Sequence, residues 1–324
     1  MKNTRILITT YQSAFLHPGG GEAELKNLVD NLQQIGIQSD IYGSSSLGID
    51  AYDVVLHFSV FPESIEFIKG IKKMGKPIIL WPNLWWVEQP GTEIVQFVES
   101  FFQLSDIVIF KSQAEYNNVS KYVSPENVKY EIVPWHIDLK YLNDVDVELF
   151  KNIYNLKEYI LWVGIIERGK NQLAAIEALK DINIPLVFIG SHRDEKYFSE
   201  CLQAAPDTTL FIPYMESASD ILLSAYKGCS IYIELSDEPA GLSSLEAALF
   251  EKPMVIGKNE WSIEHFDKSV ALVDPASSED IVLAVNECLS GKHRFRDKQK
   301  IIQNHLKLDC LRPLVEIIEN IGME

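Results

Sequence analysis

Residues 234–255 read ELSDEPAGLSSLEAALFEKPMV, and the local pattern of this stretch decides the fold expected for the chain. Immediately before it, Cys229, Ser230, Ile231, Tyr232 and Ile233 make an apolar run suited to a buried parallel strand. Within it, Leu242, Leu245, Ala248 and Leu249 recur at helical spacing, with Ser243 and Ser244 suited to a first turn. Strand, turn and helix then place Glu238 in the turn and Glu246 about one turn into the helix. The first N–H groups of such a helix lack partners in the chain and, with its positive pole, favour a phosphate. Gly241 lets a ligand approach the backbone closely. Donors for phosphate beside carboxylates for hydroxyls point to a sugar phosphate or a nucleotide sugar.

Working outward, the same alternation recurs along the 324 residues. Residues 5–10 (RILITT), 40–42, 53–58 (DVVLHF), 76–80 (KPIIL) and 106–110 (DIVIF) read as strands. Helical patterns separate them, at 65–74 and 93–102 among others, and an apolar stripe of Leu25, Leu28, Val29, Leu32 and Ile35 ends at Gly36. A second series opens at 159–163 (YILWV) and continues through 185–190, 209–212 and 253–257. Alternating strand and helix implies parallel sheets covered on both faces, with ligands beyond the carboxyl ends of the strands. By that rule His57, Trp81, Pro82, Asn83, Lys111 and Ser112 face a ligand site. His57 suits a general base or a hydroxyl-binding group, or is structural. The faces of Trp81, Trp85 and Trp86 suit stacking on a sugar, contact with a lipid carrier, or filling of the core.

Apolar residues make up 47% and charged residues 23% of the chain, as in a globular protein that needs two cores at this length. A net charge of −17 argues against a nucleic-acid or anionic-membrane surface, which needs clustered Lys and Arg. The four cysteines are scattered without a C-x-x-C pair, which fits a reducing compartment and no zinc. With neither a leader-like apolar start nor a run long enough to span a membrane, the expectation is a cytoplasmic protein.

The central stretch, with Glu238, Gly241 and Glu246 in register and Lys252, Pro253, Met254 and Val255 after it, resembles the E-x7-E signature of family 4 retaining glycosyltransferases. Ala240 stands where that signature has an aromatic residue. The glycines at 19–21 followed by Glu22 resemble the family's G-G-A-E loop, which would bring Gly20 to the donor phosphate. Residues 130–138 (YEIVPWHID) resemble its V-I-P-N-G-V-D segment, with Trp135 and His136 in place of Asn and Gly. Gly164 and Lys170 match its G-R-x-x-x-x-K segment, while Ile165 replaces the arginine and Arg168 is the nearest substitute. Trp81, Pro82 and Asn83 stand where many members carry an acceptor-side histidine.

This resemblance implies the GT-B architecture, two Rossmann-like α/β domains facing each other across a cleft. It implies an acceptor domain over residues 1–150, completed by a C-terminal helix at about 305–324, and a donor domain over 151–304. The implied reaction is metal-independent transfer of a sugar, with retention, from a nucleotide-sugar donor to a hydroxyl on a saccharide or lipid-linked acceptor. No cofactor is implied, and membrane contact would be peripheral. Glu238, with His57, would be catalytic. Lys170, Arg168, Gly164, Gly241, Leu242, Ser243, Glu246, Tyr214 and Gly20 would bind the donor, with Glu246 on its ribose. A nucleotide-sugar epimerase and a non-catalytic nucleotide-sugar binding protein are the alternatives.

Overall fold

The computed structural model describes residues 4–16, 19–124, 128–266, 268, 270–292 and 297–321. The chain divides into two compact units, Met1–His136 with Asn304–Glu324, and Ile137–Gln303. In the first, β1 (Arg5–Thr9), β2 (Gln38–Ile41), β3 (Val54–Phe58), β4 (Ile78–Trp81), β5 (Ile107–Phe110) and β6 (Lys129–Ile132) form one parallel sheet in the order β2-β1-β3-β4-β5-β6. Helices α1 (Gly20–Gln34), α2 (Ile65–Lys73), α3 (Thr92–Leu104) and α4 (Gln113–Ser120) connect them. The strand period of two sorts the apolar runs onto the two faces. Ile6, Ile8, Val54, Leu56 and Ile79 pack with Leu25, Leu28 and Leu32 of α1. Leu7, Val55, Ile78, Leu80 and Val108 pack with Ile68 of α2 and Phe101 of α3. Fully burying each such side chain stabilises the fold by about 1.5–3 kcal/mol before chain entropy is counted.

The second unit holds α5 (Glu148–Tyr154), β7 (Ile160–Val163), α6 (Gln172–Leu179), β8 (Leu186–Ile189), α7 (Glu195–Ala204), β9 (Leu210–Ile212) and α8 (Asp220–Gly228). It continues through β10 (Ile231–Glu234), α9 (Leu242–Ala248), β11 (Met254–Gly257), α10 (Glu260–Phe266), β12 (Ala271–Val273), α11 (Ser278–Leu289) and α12 (Lys298–Ile301). Its parallel sheet runs β12-β11-β10-β7-β8-β9, the Rossmann order. The strand order reverses between β7 and β10, and in the first unit between β1 and β3. Such switch points open a crevice at the carboxyl ends of the strands. The α/β class with two Rossmann-like sheets, expected from the sequence, is what the structure has.

The join falls at His136–Ile137, earlier than the expected 150–151. His136 is tied into the first unit, with Nδ1 2.7 Å from Asn31 Nδ2 and Nε2 3.1 Å from the Leu306 carbonyl. Phe150 in α5 is held by the second unit, its N–H donating to Ser224 Oγ at 3.0 Å. After α12 the chain returns to the first unit, and α13 (Arg312–Ile321) buries Leu314, Ile317 and Ile318 in the core containing Ile6 and Leu25. Residues 322–324, the end of the expected C-terminal helix at about 305–324, lie outside the described residues. All four cysteines are free and buried, as a chain without structural disulfides requires. Among the described residues no helix is long and apolar enough to cross a membrane.

Candidate functional site

The central stretch folds as its pattern predicts. β10 ends at Glu234, a turn carries Ser236 to Gly241, and α9 begins at Leu242. Gly241 has φ +75°, a left-handed conformation that a side chain would strain. Asn259 Nδ2 donates to the Glu238 carbonyl at 3.1 Å and so holds the turn from the side of β11. Across the switch point, β7 leads through Gly164 and Ile165 to a short 3-10 turn, Arg168–Lys170. Gly190, at the end of β8, has no room for a side chain, because a Cβ there would lie 2.0 Å from the Gly164 carbonyl oxygen.

This places Lys170 Nζ 3.9 Å from Glu238 Oε2. A Cβ built on Gly169 would lie 3.5 Å from Glu238 Oε1, so the turn backbone also approaches this carboxylate. Burial raises the pKa of Glu238, Lys170 draws it down, and Glu167 and Asp237 push it up. Glu246 lies inside α9, buried, and accepts a hydrogen bond from Tyr226 of α8 at 3.0 Å. The Tyr141 hydroxyl makes a second contact with it and also lies 3.2 Å from Ser217 Oγ. Burial raises the Glu246 carboxyl to about 7 despite both tyrosines. Among the described residues no cation pairs with Glu246; it is a carboxyl held by two phenols, which suits hydrogen bonding to a hydroxyl pair.

Gly164, Lys170, Glu238, Gly241, Leu242, Ser243 and Glu246 thus all lie along β7, β10 and the segments that follow them. Arg168 is turned elsewhere. Its Nη2 lies 3.0 Å from Glu200 of α7, and its guanidinium sits over the Tyr197 ring at 5.1 Å. Tyr214 follows β9 and is 61% exposed. Gly20 opens α1 in the first unit, and Glu22 reaches back to accept from the Gly19 N–H at 2.6 Å.

His57 does not fit a catalytic role. Its register beside Thr9 and Leu80 points the ring into the core, 0% exposed, stacked on Phe101 with Nδ1 2.9 Å from Thr9 Oγ1. Burial lowers its pKa to about 4, so the ring is neutral and out of reach of a substrate. Trp81 is likewise core, 2% exposed.

Tyr226, Tyr141 and Glu234 escaped the sequence reading, as did the burial of Lys111, which the sequence had placed facing a ligand site. Tyr226 and Tyr141 hold Glu246, and only the strand position of Glu234 hinted at its role as a buried charge ending an apolar run. In the first unit, Lys111 at the end of β5 is buried with Glu24 Oε2 and Asn83 Oδ1, at 2.7 and 2.6 Å. Its ammonium lies 5.0, 5.6 and 4.6 Å from the ring centres of Phe58, Trp81 and Trp135. Glu115 of α4 accepts from the N–H groups of Lys111 and Leu84, and Asn118 brackets the backbone of Trp86. The Trp81-Pro82-Asn83-Leu84-Trp85-Trp86 segment is thereby pinned rather than loose. Among the described residues no group of three or more His, Cys, Asp or Glu is arranged to hold a metal ion.

Two Rossmann-like sheets with a carboxylate–lysine pair at the second switch point define the class to which the molecule compares. Residues 148–307 match the family model of glycosyl transferases group 1. Sucrose-phosphate synthase from Thermosynechococcus elongatus superposes with a TM-score of 0.80 at 13% identity, covering 98% of each chain. A glycosyltransferase from Rickettsia africae gives 0.73 at 15% identity, covering 99% of each. A UDP-forming trehalose-phosphate synthase from Burkholderia xenovorans, in complex with glucose-6-phosphate, gives 0.72 at 11%, covering 97% of this chain and 100% of its own. These likenesses establish the GT-B fold. No curated protein matches the sequence.

Proposed function

We propose that the protein is a retaining glycosyltransferase that moves a sugar from a nucleotide-sugar donor to a hydroxyl of a saccharide or lipid-linked acceptor. The observation that carries this reading is Lys170 beside Glu238 at the β7–β10 switch point, with Glu246 one turn into the following helix. The family match over 148–307 supports it. Lys170 meets the donor diphosphate together with the N–H groups of Gly241, Leu242 and Ser243. Glu238 binds sugar hydroxyls and steadies the positive charge that develops as the glycosidic bond loosens. Glu246 binds the donor ribose. Charges fixed in advance at the leaving group are a large lever for this chemistry. The proposed step needs no metal and no cofactor, because its charge is met by Lys170 and backbone donors.

The test compares UDP with uridine on the parent and on Lys170→Ala, with ADP and adenosine as a second pair. Loss of a charge-assisted hydrogen bond costs about 1.5–3 kcal/mol. UDP affinity is expected to fall about tenfold to a hundredfold while uridine affinity holds. Equal losses for both would remove Lys170 from the phosphate site. A non-catalytic nucleotide-sugar binding protein is the second reading, favoured by the pairing of Arg168 with Glu200. Donor binding without turnover over a broad acceptor panel would establish it.

A further inference from the structure

We propose that Tyr226 is a positioning residue that aims the Glu246 carboxyl at a vicinal diol, so that the site selects nucleotides whose ribose carries both adjacent hydroxyls. This inference rests on the donor-site reading above and brings in Tyr226 and Tyr141, to which that reading gives no part. The Tyr226 hydroxyl donates to Glu246 Oε2 at 3.0 Å, from α8 to α9. Tyr226 is fully buried, so it acts on a ligand only through Glu246, which keeps 9% exposure. Rings pack round the phenol and fix it: Phe250 is stacked on it at 5.6 Å between ring centres, Tyr232 lies at 5.9 Å and Tyr141 stands edge-on at 6.2 Å.

The start of α8 is itself fixed by a second phenol. Ala218, in the turn before α8, has φ +56°, a left-handed conformation that strains a residue with a side chain. Its N–H donates to the Tyr141 hydroxyl at 3.4 Å, and Ser217 Oγ lies 3.2 Å from the same oxygen. Tyr141 is 2% exposed and belongs to the 3-10 turn Leu139–Leu142. The strained turn is thus held by the Tyr141 hydroxyl, and α8 carries Tyr226 to Glu246 from a fixed point. A glutamate side chain has several rotamers open to it, and a bond to an immobile phenol removes that choice before a ligand arrives. A carboxylate accepts more than two hydrogen bonds, so capacity remains for a pair of hydroxyls. Hydroxyls on adjacent ribose carbons are close enough to share one carboxyl. A nucleotide that lacks them leaves the buried carboxyl without those donors.

The experiment is calorimetric titration of the full chain with UDP and with dideoxy-UDP, which lacks both ribose hydroxyls; ADP and its dideoxy form are a second pair. The parent is expected to prefer UDP about tenfold to a hundredfold, the scale of hydrogen bonds to a charged group. Tyr226→Phe keeps the ring packing and removes only the hydroxyl. UDP affinity should fall until the preference is about threefold, while dideoxy-UDP affinity stays within about twofold of the parent. Tyr141→Phe leaves Tyr226 and Glu246 in place and should narrow the preference to an intermediate value. Adding Ala218→Gly, which takes the left-handed conformation without strain, should restore part of it. An unchanged preference in Tyr226→Phe, or equal losses for the two ligands, overturns the proposal while the donor-site reading stands. If Tyr226→Phe does not fold, the same two outcomes in Tyr141→Phe overturn it. A parent that binds UDP and dideoxy-UDP equally takes Glu246 off the ribose, and one that binds neither UDP nor ADP overturns the donor-site reading as well.

Discussion

Replacing Glu246 by Gln is expected to stabilise the protein in mildly alkaline solution and to leave it nearly unchanged in acid. Glu246 is buried in α9, with Tyr226 and Tyr141 as donors, no cation paired with it among the described residues, and Asp138 adding repulsion. Its carboxyl is raised from 4.5 to about 7, burial being the largest cause. Between those two pH values the folded protein holds a proton that the unfolded chain has released. Stability contributed by this group is therefore whole below about 4.5 and is lost as pH rises through about 7. At about 1.4 kcal/mol per pH unit, the full loss is about 3 kcal/mol. Glutamine cannot ionise, accepts from the same tyrosine and fills the same space. Urea unfolding of parent and variant at pH 4, 5, 6, 7 and 8 should show a difference near zero at the lowest pH. The difference should grow in favour of the variant to about 3 kcal/mol at the highest. A difference that does not change with pH, or that grows in the parent's favour, would refute the claim that a buried, uncompensated charge sits there.

Arg168→Ala is expected to leave UDP affinity within about twofold of the parent, because its guanidinium is occupied by Glu200 and Tyr197. A loss of tenfold or more, read by calorimetric titration with UDP, would show that Arg168 leaves Glu200 for the ligand. Lys111→Met, which keeps the volume inside its ring of Phe58, Trp81 and Trp135, should cost about 3–5 kcal/mol because Glu24 is left buried without a cation. Adding Glu24→Gln should recover part of that loss in urea unfolding; no recovery would show that the cost came from packing alone.

What the sequence made legible follows from how local the cause is. The strand–turn–helix of 234–255 is set by neighbours in the chain, so Glu238, Gly241 and Glu246 fell where their spacing put them. His57 ends an apolar run and looks like a residue at the mouth of a sheet. Its orientation depends on register with Thr9 and Leu80, from other strands, and that register turns it into the α3 side of the core. Arg168 lies two residues from Lys170, yet a 3-10 turn sends the two side chains to different partners, one on α7 and one after β10. Lys111 and Glu24 are 87 residues apart, a pairing that no local pattern encodes. The join at His136–Ile137 was hidden for a related reason. It carries no glycine or serine run, and the residues on either side are fixed by hydrogen bonds to Asn31, Leu306 and Ser224.

The replacement of arginine by Ile165 bears most directly on how the donor site balances charge. Ile165 follows Gly164 at the end of β7, and its carbonyl accepts from Gln172 Nε2 at 2.8 Å, so the backbone there is fixed from α6. Lys170 is the cation that draws down both Glu234 and Glu238, whose other charged neighbours are acidic. A diphosphate arriving at this site therefore competes with Glu238 for one ammonium. A second cation should relieve that competition. Ile165→Arg leaves the Gln172 bond intact, because that bond uses the backbone carbonyl and not the side chain. The planar guanidinium offers forked donors that match phosphate oxygens, where lysine presents a point charge. UDP affinity is accordingly expected to rise about tenfold, the scale of one charge-assisted hydrogen bond. Calorimetry on this variant reads that affinity directly. Unchanged or weaker UDP affinity in a folded variant would mean that the end of β7 does not face the phosphate, and the placement of the diphosphate between β7 and β10 would fall with it.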